Sequence, residues 1–233
     1  PAVGREEPLV AGPGLASVLV LVGFGIWPQL ELAVAGLFYD GTKFPVDTDQ
    51  TILRLRYLVW DASLVMPVVA LVMLVVTAVL RRGVILAARG WGFILALFLL
   101  GPGVLVNAVL KSYWGRARPY DVTQFGGTAQ FSPAYQISDQ CASNCSFVSG
   151  EGSGSMALAI AFLVILFAVA KVLPKPVLRV GQGATLLMLG FAGWQRVAAG
   201  GHFLSDVLLS WLFVALVAAI LARLLRPFAV QPR

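Results

Sequence analysis

Residues 196–225 read RVAAGGHFLSDVLLSWLFVALVAAILARLL. The second part, Phe203–Leu225, is an apolar run long enough to cross a bilayer as a helix, for which about 20 residues suffice. The first part carries Arg196, His202 and Asp206 around a Gly200-Gly201 turn, and His202 is the chain's single histidine. If His202 opens the helix, Asp206 lies four residues on and shares its face. A carboxylate there accepts a hydrogen bond from one imidazole nitrogen and leaves the other free as base or nucleophile. A nucleophile, its orienting partner and an anion-binding cation thus stand together at the end of a membrane span.

The rest of the chain has the composition of a polytopic membrane protein. It is 59% hydrophobic and 12% charged, with a mean hydropathy of +0.86. Soluble domains carry about 25% charged residues. Six apolar runs are read as spans: Leu9–Trp27, Ala62–Leu80, Trp91–Leu110, Ser155–Leu173, Val180–Trp194 and Phe203–Leu225. The fifth is the shortest. The first follows Glu6 and Glu7 without a clear cleavage site, so it reads as a retained helix rather than a signal peptide. The stretch Pro28–Tyr39 reads as an amphipathic helix at the outer interface. The expectation is an all-α, six-span bundle forming one domain over residues 1–233.

The net charge of +6 does not indicate nucleic acid, because most basic residues sit at the ends of apolar runs. Arg81, Arg82 and Arg89, then Lys171, Lys175 and Arg179, then Arg223, Arg226 and Arg233, mark three segments as cytoplasmic. Both termini are then inside, and Gly41–Asp61, Lys111–Gly154 and Gln195–His202 face outward. Lys111, Arg116, Arg118 and Arg196 are cations on the side where the rule disfavours them, and binding an anion is one reason for that. Cys141 and Cys145 share one outer loop; they read as a disulfide or as two free thiols, and lack the partners of a zinc site. Tyr113, Trp114 and Trp194 read as interface-belt aromatics, and Asn107 as an interhelical hydrogen-bond former. Arg116 reads equally as a headgroup contact or a solvated cation.

Three polar segments therefore converge on one face: 111–119, 146–153, and 196–206. Their chemistry suggests phosphoryl transfer. Lys111, Arg118 and Arg196 supply charge and donors for phosphate oxygens. Backbone amides at Ser149 and Gly150, where the fourth span begins, add donors at a helix N-terminus. His202 is the candidate nucleophile, Asp206 its orienting group and Glu151 the acid that protonates the leaving oxygen. No ligand cluster for a metal is present, and no cofactor is called for.

Lysine, six residues, Arg-Pro, then Ser-Gly, then Arg, five residues, His, three residues, Asp resembles the type 2 phosphatidic acid phosphatase superfamily, and the resemblance extends over all six spans. The positions carried over are Lys111, Arg118 and Pro119; Ser149 and Gly150; Arg196, His202 and Asp206. The resemblance implies a metal-independent membrane lipid phosphatase with a phosphohistidine intermediate. Glu151 stands where that family usually has histidine, and Gln195 where it usually has serine. The Pro28–Asp40 segment is similar to one in lipid A phosphatase-like members. The expected activity is hydrolysis of lipid A phosphate at the periplasmic face of a bacterial inner membrane. Polyprenyl diphosphate and phosphatidylglycerophosphate are alternative substrates, and a non-catalytic lipid-phosphate binding or transport homologue is the alternative from another class. Oligomeric state is not legible from the chain.

Overall fold

The computed structural model describes residues 7–226, so Glu6, Arg233 and the ends of the expected domain lie outside the described residues. Within them the chain is helical, with α1 Glu7–Ile26, α2 Gln29–Gly36, α3 Gln50–Leu80, α4 Ala88–Tyr113, α5 Gly150–Ala168, α6 Lys175–Ala198 and α7 Leu204–Leu225. The four helices α3, α4, α5 and α7 are each long and apolar enough to cross a membrane. The pair α1 and α2 makes a fifth candidate, bent by 88°. Pro28 at the start of α2 lies at this break, which turns α2 across the end of the bundle. The expected short fifth span corresponds to α6, which runs 24 residues but carries Lys175, Arg179 and Arg196.

The core is built on α5, whose first turns carry small residues at Gly150, Gly152, Ser153, Gly154 and Ser155. A Cβ on Gly152 would stand 2.5 Å from the Ser210 hydroxyl of α7, and one on Gly154 would stand 3.1 Å from that of Ser63 on α3. Removing side chains at those positions lets backbones approach where lipid provides no hydrophobic drive. Below them Leu158, Ile94, Leu97 and Val214 are fully buried in one cluster with Trp91 and Met66. In α4 the stretch Leu99–Leu110 is a π-helix around Pro102. Asn107 turns its amide onto the Pro102 carbonyl at 2.7 Å, so it serves its own helix rather than a neighbour.

The turns 41–49, 114–149 and 199–203 gather at one end of the bundle, where the cavity described below draws residues from α3, α4, α5 and the last two of these turns. The long segment after α4 is ordered by aromatic packing. Trp114 stacks on Phe147 at 4.3 Å and donates its indole N–H to the Ala134 carbonyl, so it anchors this cap rather than joining an interface belt. Cys141 and Cys145 are bonded to each other.

Arg116 lies at the centre of the cap and is fully buried, correcting the expectation of a headgroup contact or a solvated cation. Its Nη2 donates to Glu31 of α2 at 2.9 Å, its Nη1 to Asp206 at 2.6 Å and to Ser205 at 3.0 Å, and its Nε to the Ser132 carbonyl at 2.8 Å. The guanidinium carbon lies 4.4 Å from the centre of the Phe203 ring. Glu31, on the helix expected to lie at the interface, points inward and is fully buried. A buried ion pair contributes little net stability when intact, but removing one partner strands the other. Arg116→Met leaves two buried carboxylates without their cation. It should therefore destabilise the protein by about 3–5 kcal/mol, seen as a lowered melting temperature by circular dichroism in detergent. Parental stability would show that the pair holds nothing together.

Candidate active site

A cavity of about 290 Å³ opens at this end of the bundle, lined by Arg56, Tyr57, Trp60, Asn107, Lys111, Arg118, Asn144, Gly150, Glu151 and His202. Five residues singled out in the sequence, Lys111, Arg118, Gly150, Glu151 and His202, thus line one cavity. Lys111 is brought in by the last turn of α4, and Gly150 opens α5; a Cβ there would lie 3.1 Å from Asn107 Oδ1 and 3.5 Å from Lys111 Nζ. Arg118 reaches in from the cap, where Nη2 donates to the Asn144 carbonyl at 2.7 Å. Arg196 ends α6 behind Glu151, with Nη1 at 3.5 Å from Glu151 Oε1. Its guanidinium lies against Gly201, where a Cβ would run into Nη2. Gly200 adopts φ +66°, a conformation that favours glycine, and its missing Cβ makes room for the Phe44 ring. These two glycines let the chain turn tightly from α6 to His202.

His202 precedes α7 rather than opening it, so the shared helix face with Asp206 does not form. Asp206 does not bond the imidazole. Its Oδ2 caps α7 by accepting from Phe203 N at 3.0 Å, and Oδ1 takes Arg116. His202 Nδ1 instead lies 2.7 Å from the Ser146 carbonyl. A carbonyl only accepts, so Nδ1 carries the proton and Nε2 keeps its lone pair. Ser146 is itself held on two sides: its N–H donates to the Arg116 carbonyl at 2.8 Å and its hydroxyl to Asp206 Oδ2 at 2.6 Å. Asp206 therefore reaches His202 through Ser146. Burial is the main force pushing the His202 pKa well below its ordinary value near 6.5, aided by the positive charges of Arg196, Lys111 and Arg118. The Ser146 hydrogen bond opposes this only in part.

Two further expectations need correction. Ser149 does not offer its amide to a ligand: its N–H donates to the Asp206 carbonyl at 3.1 Å, while its hydroxyl caps α5 by accepting from Gly152 N at 3.0 Å. Gly150, next along, is the residue of this pair that lines the cavity, in the helix turn whose amides have no intrahelical acceptor. Glu151 lines the cavity but accepts two hydrogen bonds from Arg56, Nε to Oε2 at 2.8 Å and Nη2 to Oε1 at 2.6 Å. A carboxylate held in a guanidinium fork offers lone pairs, not a proton. Arg56 was not singled out in the sequence, because the outer segment 41–61 reads as a loop up to Ala62. In the structure α3 begins at Gln50 and carries Arg56 to the cavity, capped by Asp49 accepting from Thr51 N and Ile52 N.

Residues 89–228 match the PAP2 superfamily. The chain belongs to that superfamily. Its matched region carries Lys111, Arg118, Gly150, Arg196 and His202; the family together with the relatives that follow indicates a phosphoric monoester hydrolase, and the apolar helices a multi-pass membrane protein. It is 33% identical over 193 residues to a lipid A 4′-phosphatase of Francisella tularensis subsp. novicida (strain U112), covering 82% of this chain and 84% of that protein. It is 42% identical over 130 residues to a lipid A 4′-phosphatase of Rhizobium leguminosarum, covering 55% of this chain and 52% of that one. The crystal structure of a transmembrane PAP2-type phosphatidylglycerolphosphate phosphatase from Bacillus subtilis superposes with a TM-score of 0.52 at 20% identity, covering 97% of this chain and 100% of that chain. This likeness concerns the fold.

Because His202 is the only imidazole, its NMR signals stand alone. In ¹⁵N-histidine-labelled protein the proton should reside on Nδ1, and the ring should remain neutral as pH falls well below 6.5, since a lowered pKa extends the neutral form to lower pH. A proton on Nε2, or a titration midpoint near 6.5, would contradict the geometry.

Proposed function

We propose that this PAP2 protein removes the 4′-phosphate of lipid A at the outer face of a bacterial inner membrane, through a phosphohistidine on His202. The observation that carries the substrate is the similarity to the Francisella lipid A 4′-phosphatase along most of both chains, 82% and 84%. The site supports the reaction class. A neutral imidazole, its Nε2 lone pair free, faces a cavity walled by Lys111 and Arg118, with Arg196 behind.

In the first step Nε2 attacks phosphorus, the P–O bond to the sugar breaks, and the sugar oxygen leaves with that electron pair and takes a proton from water. The three non-bridging oxygens gather charge and are met by Lys111, Arg118 and Arg196. The imidazole becomes positively charged, and Nδ1–H strengthens its bond to the Ser146 carbonyl. In the second step water attacks phosphorus, the N–P bond breaks, the electron pair returns to Nε2, and the water's proton leaves to solvent. The sum is phosphate ester plus water giving alcohol plus inorganic phosphate. Ser146 and Asp206 are positioning residues: they fix the tautomer and do not touch the phosphate.

The orientation rests on charge. Arg81, Arg82 and Lys171 in the connecting turns, with Arg89, Lys175, Arg179 and Arg223 in the adjoining helix turns, cluster at the helix ends opposite the cavity, as expected of a cytoplasmic side. Lipid A exposed on the outer leaflet would then meet the cavity directly. Purified protein given lipid A, phosphatidylglycerophosphate, polyprenyl diphosphate and phosphatidic acid should release phosphate fastest from lipid A, and fragmentation of the product by mass spectrometry should show loss at the 4′ position. Faster turnover of phosphatidylglycerophosphate would reassign the substrate. No release from any lipid would favour a non-catalytic lipid-phosphate binding homologue.

A further inference from the structure

Arg56 stands outside the three polar segments, yet it shares the cavity with His202. It meets Glu151 in a two-bond fork at 2.6 and 2.8 Å, and the same Glu151 oxygen lies 3.5 Å from Arg196 Nη1. One carboxylate therefore sits between two guanidiniums, in a cavity that Lys111 and Arg118 also line. A phosphoryl group presents the same pair of oxygens to a guanidinium fork as a carboxylate does, with one more left over and greater charge.

We infer that Arg56 is a phosphate-binding residue of this cavity, and that the Glu151 carboxylate occupies its fork until a phosphoryl group displaces it. The inference rests on the cavity's being the phosphate site proposed above. Two observations carry it beyond a simple salt bridge between α3 and α5. First, Arg196 is 4% exposed and its Nε has no hydrogen-bond partner. A buried charged donor without an acceptor is costly, so the cations around Glu151 are not fully paired by it. Glu151 thus uses part of a donor set larger than it can fill. Second, the Arg56 and Glu151 side chains each keep 22% exposure and both line the cavity, so the pair is open to an entering ligand and not sealed in packed protein. Charge requires the exchange: a phosphate dianion beside a fixed Glu151 would meet like charge at close range, whereas one that takes the fork replaces one negative partner by another.

The exchange has a signature that a structural ion pair lacks, because the two partners affect anion binding in opposite directions. The measurement is the Kd of inorganic phosphate by calorimetry on the His202→Ala protein, which reads binding without turnover, repeated with Arg56→Ala, Arg56→Lys and Glu151→Gln added. Arg56→Ala should weaken phosphate about tenfold or more, the scale of a charge-assisted hydrogen bond. Arg56→Lys keeps the charge but not the fork and should fall between. Glu151→Gln keeps the shape, removes the competitor and should tighten phosphate by about three- to tenfold. A lowered melting temperature with an unchanged phosphate Kd in both Arg56→Ala and Glu151→Gln would overturn the inference and leave a salt bridge. Weaker binding in Glu151→Gln would also overturn it. No binding of phosphate to the His202→Ala protein itself would withdraw the reading of the cavity as a phosphate site, and this inference with it.

Discussion

Arg116 is a guanidinium with no solvent exposure, held in the end of a membrane bundle by two carboxylates, a hydroxyl and a backbone carbonyl. Moving such a charge out of water costs several kcal/mol unless every donor finds an acceptor. Here that requirement ties together elements far apart in sequence: Glu31 on the bent helix α2, Ser132 in the cap, and Ser205 and Asp206 in the first turn of α7. The Arg116 carbonyl also takes the Ser146 amide. The cap and the helices beneath it are thus fixed to one another through polar contacts that lipid could not replace.

The nucleophile's geometry descends from that network. Asp206 is occupied by Arg116 and Ser146, so the imidazole is oriented by a neutral carbonyl instead of a carboxylate. A carboxylate on Nδ1 would favour the protonated ring and raise its pKa. A carbonyl fixes the tautomer with far less of that effect, and burial among cations then keeps the ring neutral and ready to attack. The negative charge is kept one residue away, where it positions Ser146 without competing with the phosphate for the cations.

The membrane class and the convergence of three polar segments were legible in apolar run lengths and in the placement of Lys and Arg, and a separate helix after the first span was legible in the stretch Pro28–Tyr39, though not its 88° bend. The pairing of Cys141 with Cys145 was one of two readings left open. What failed was local. The spacing of His202 and Asp206 suggested a shared helix face, but the Gly200-Gly201 turn ends α6 and α7 starts only at Leu204. Arg116 stood out as a cation on the disfavoured side, but its burial was not legible, because a charged residue near a span end is usually solvated or at the headgroups and its partner Glu31 lies 85 positions away. Arg56 was hidden by an apolar pattern that fades before Ala62, although the helix continues back to Gln50. Those extra turns bring Arg56, Tyr57 and Trp60 to the cavity, in a stretch that a hydropathy reading scores as loop.

The central claim is that the His202 lone pair on Nε2 receives the phosphoryl group while Nδ1–H stays on the Ser146 carbonyl. The most direct measurement is to quench turnover of a labelled phosphate ester within the first cycle under alkaline conditions, where phosphohistidine survives, and to locate the phosphate by mass spectrometry and ³¹P NMR. The account predicts one phosphoryl group on His202, on Nε2. Phosphate on Nδ1, phosphate on another side chain, or turnover with no phosphoenzyme would contradict it.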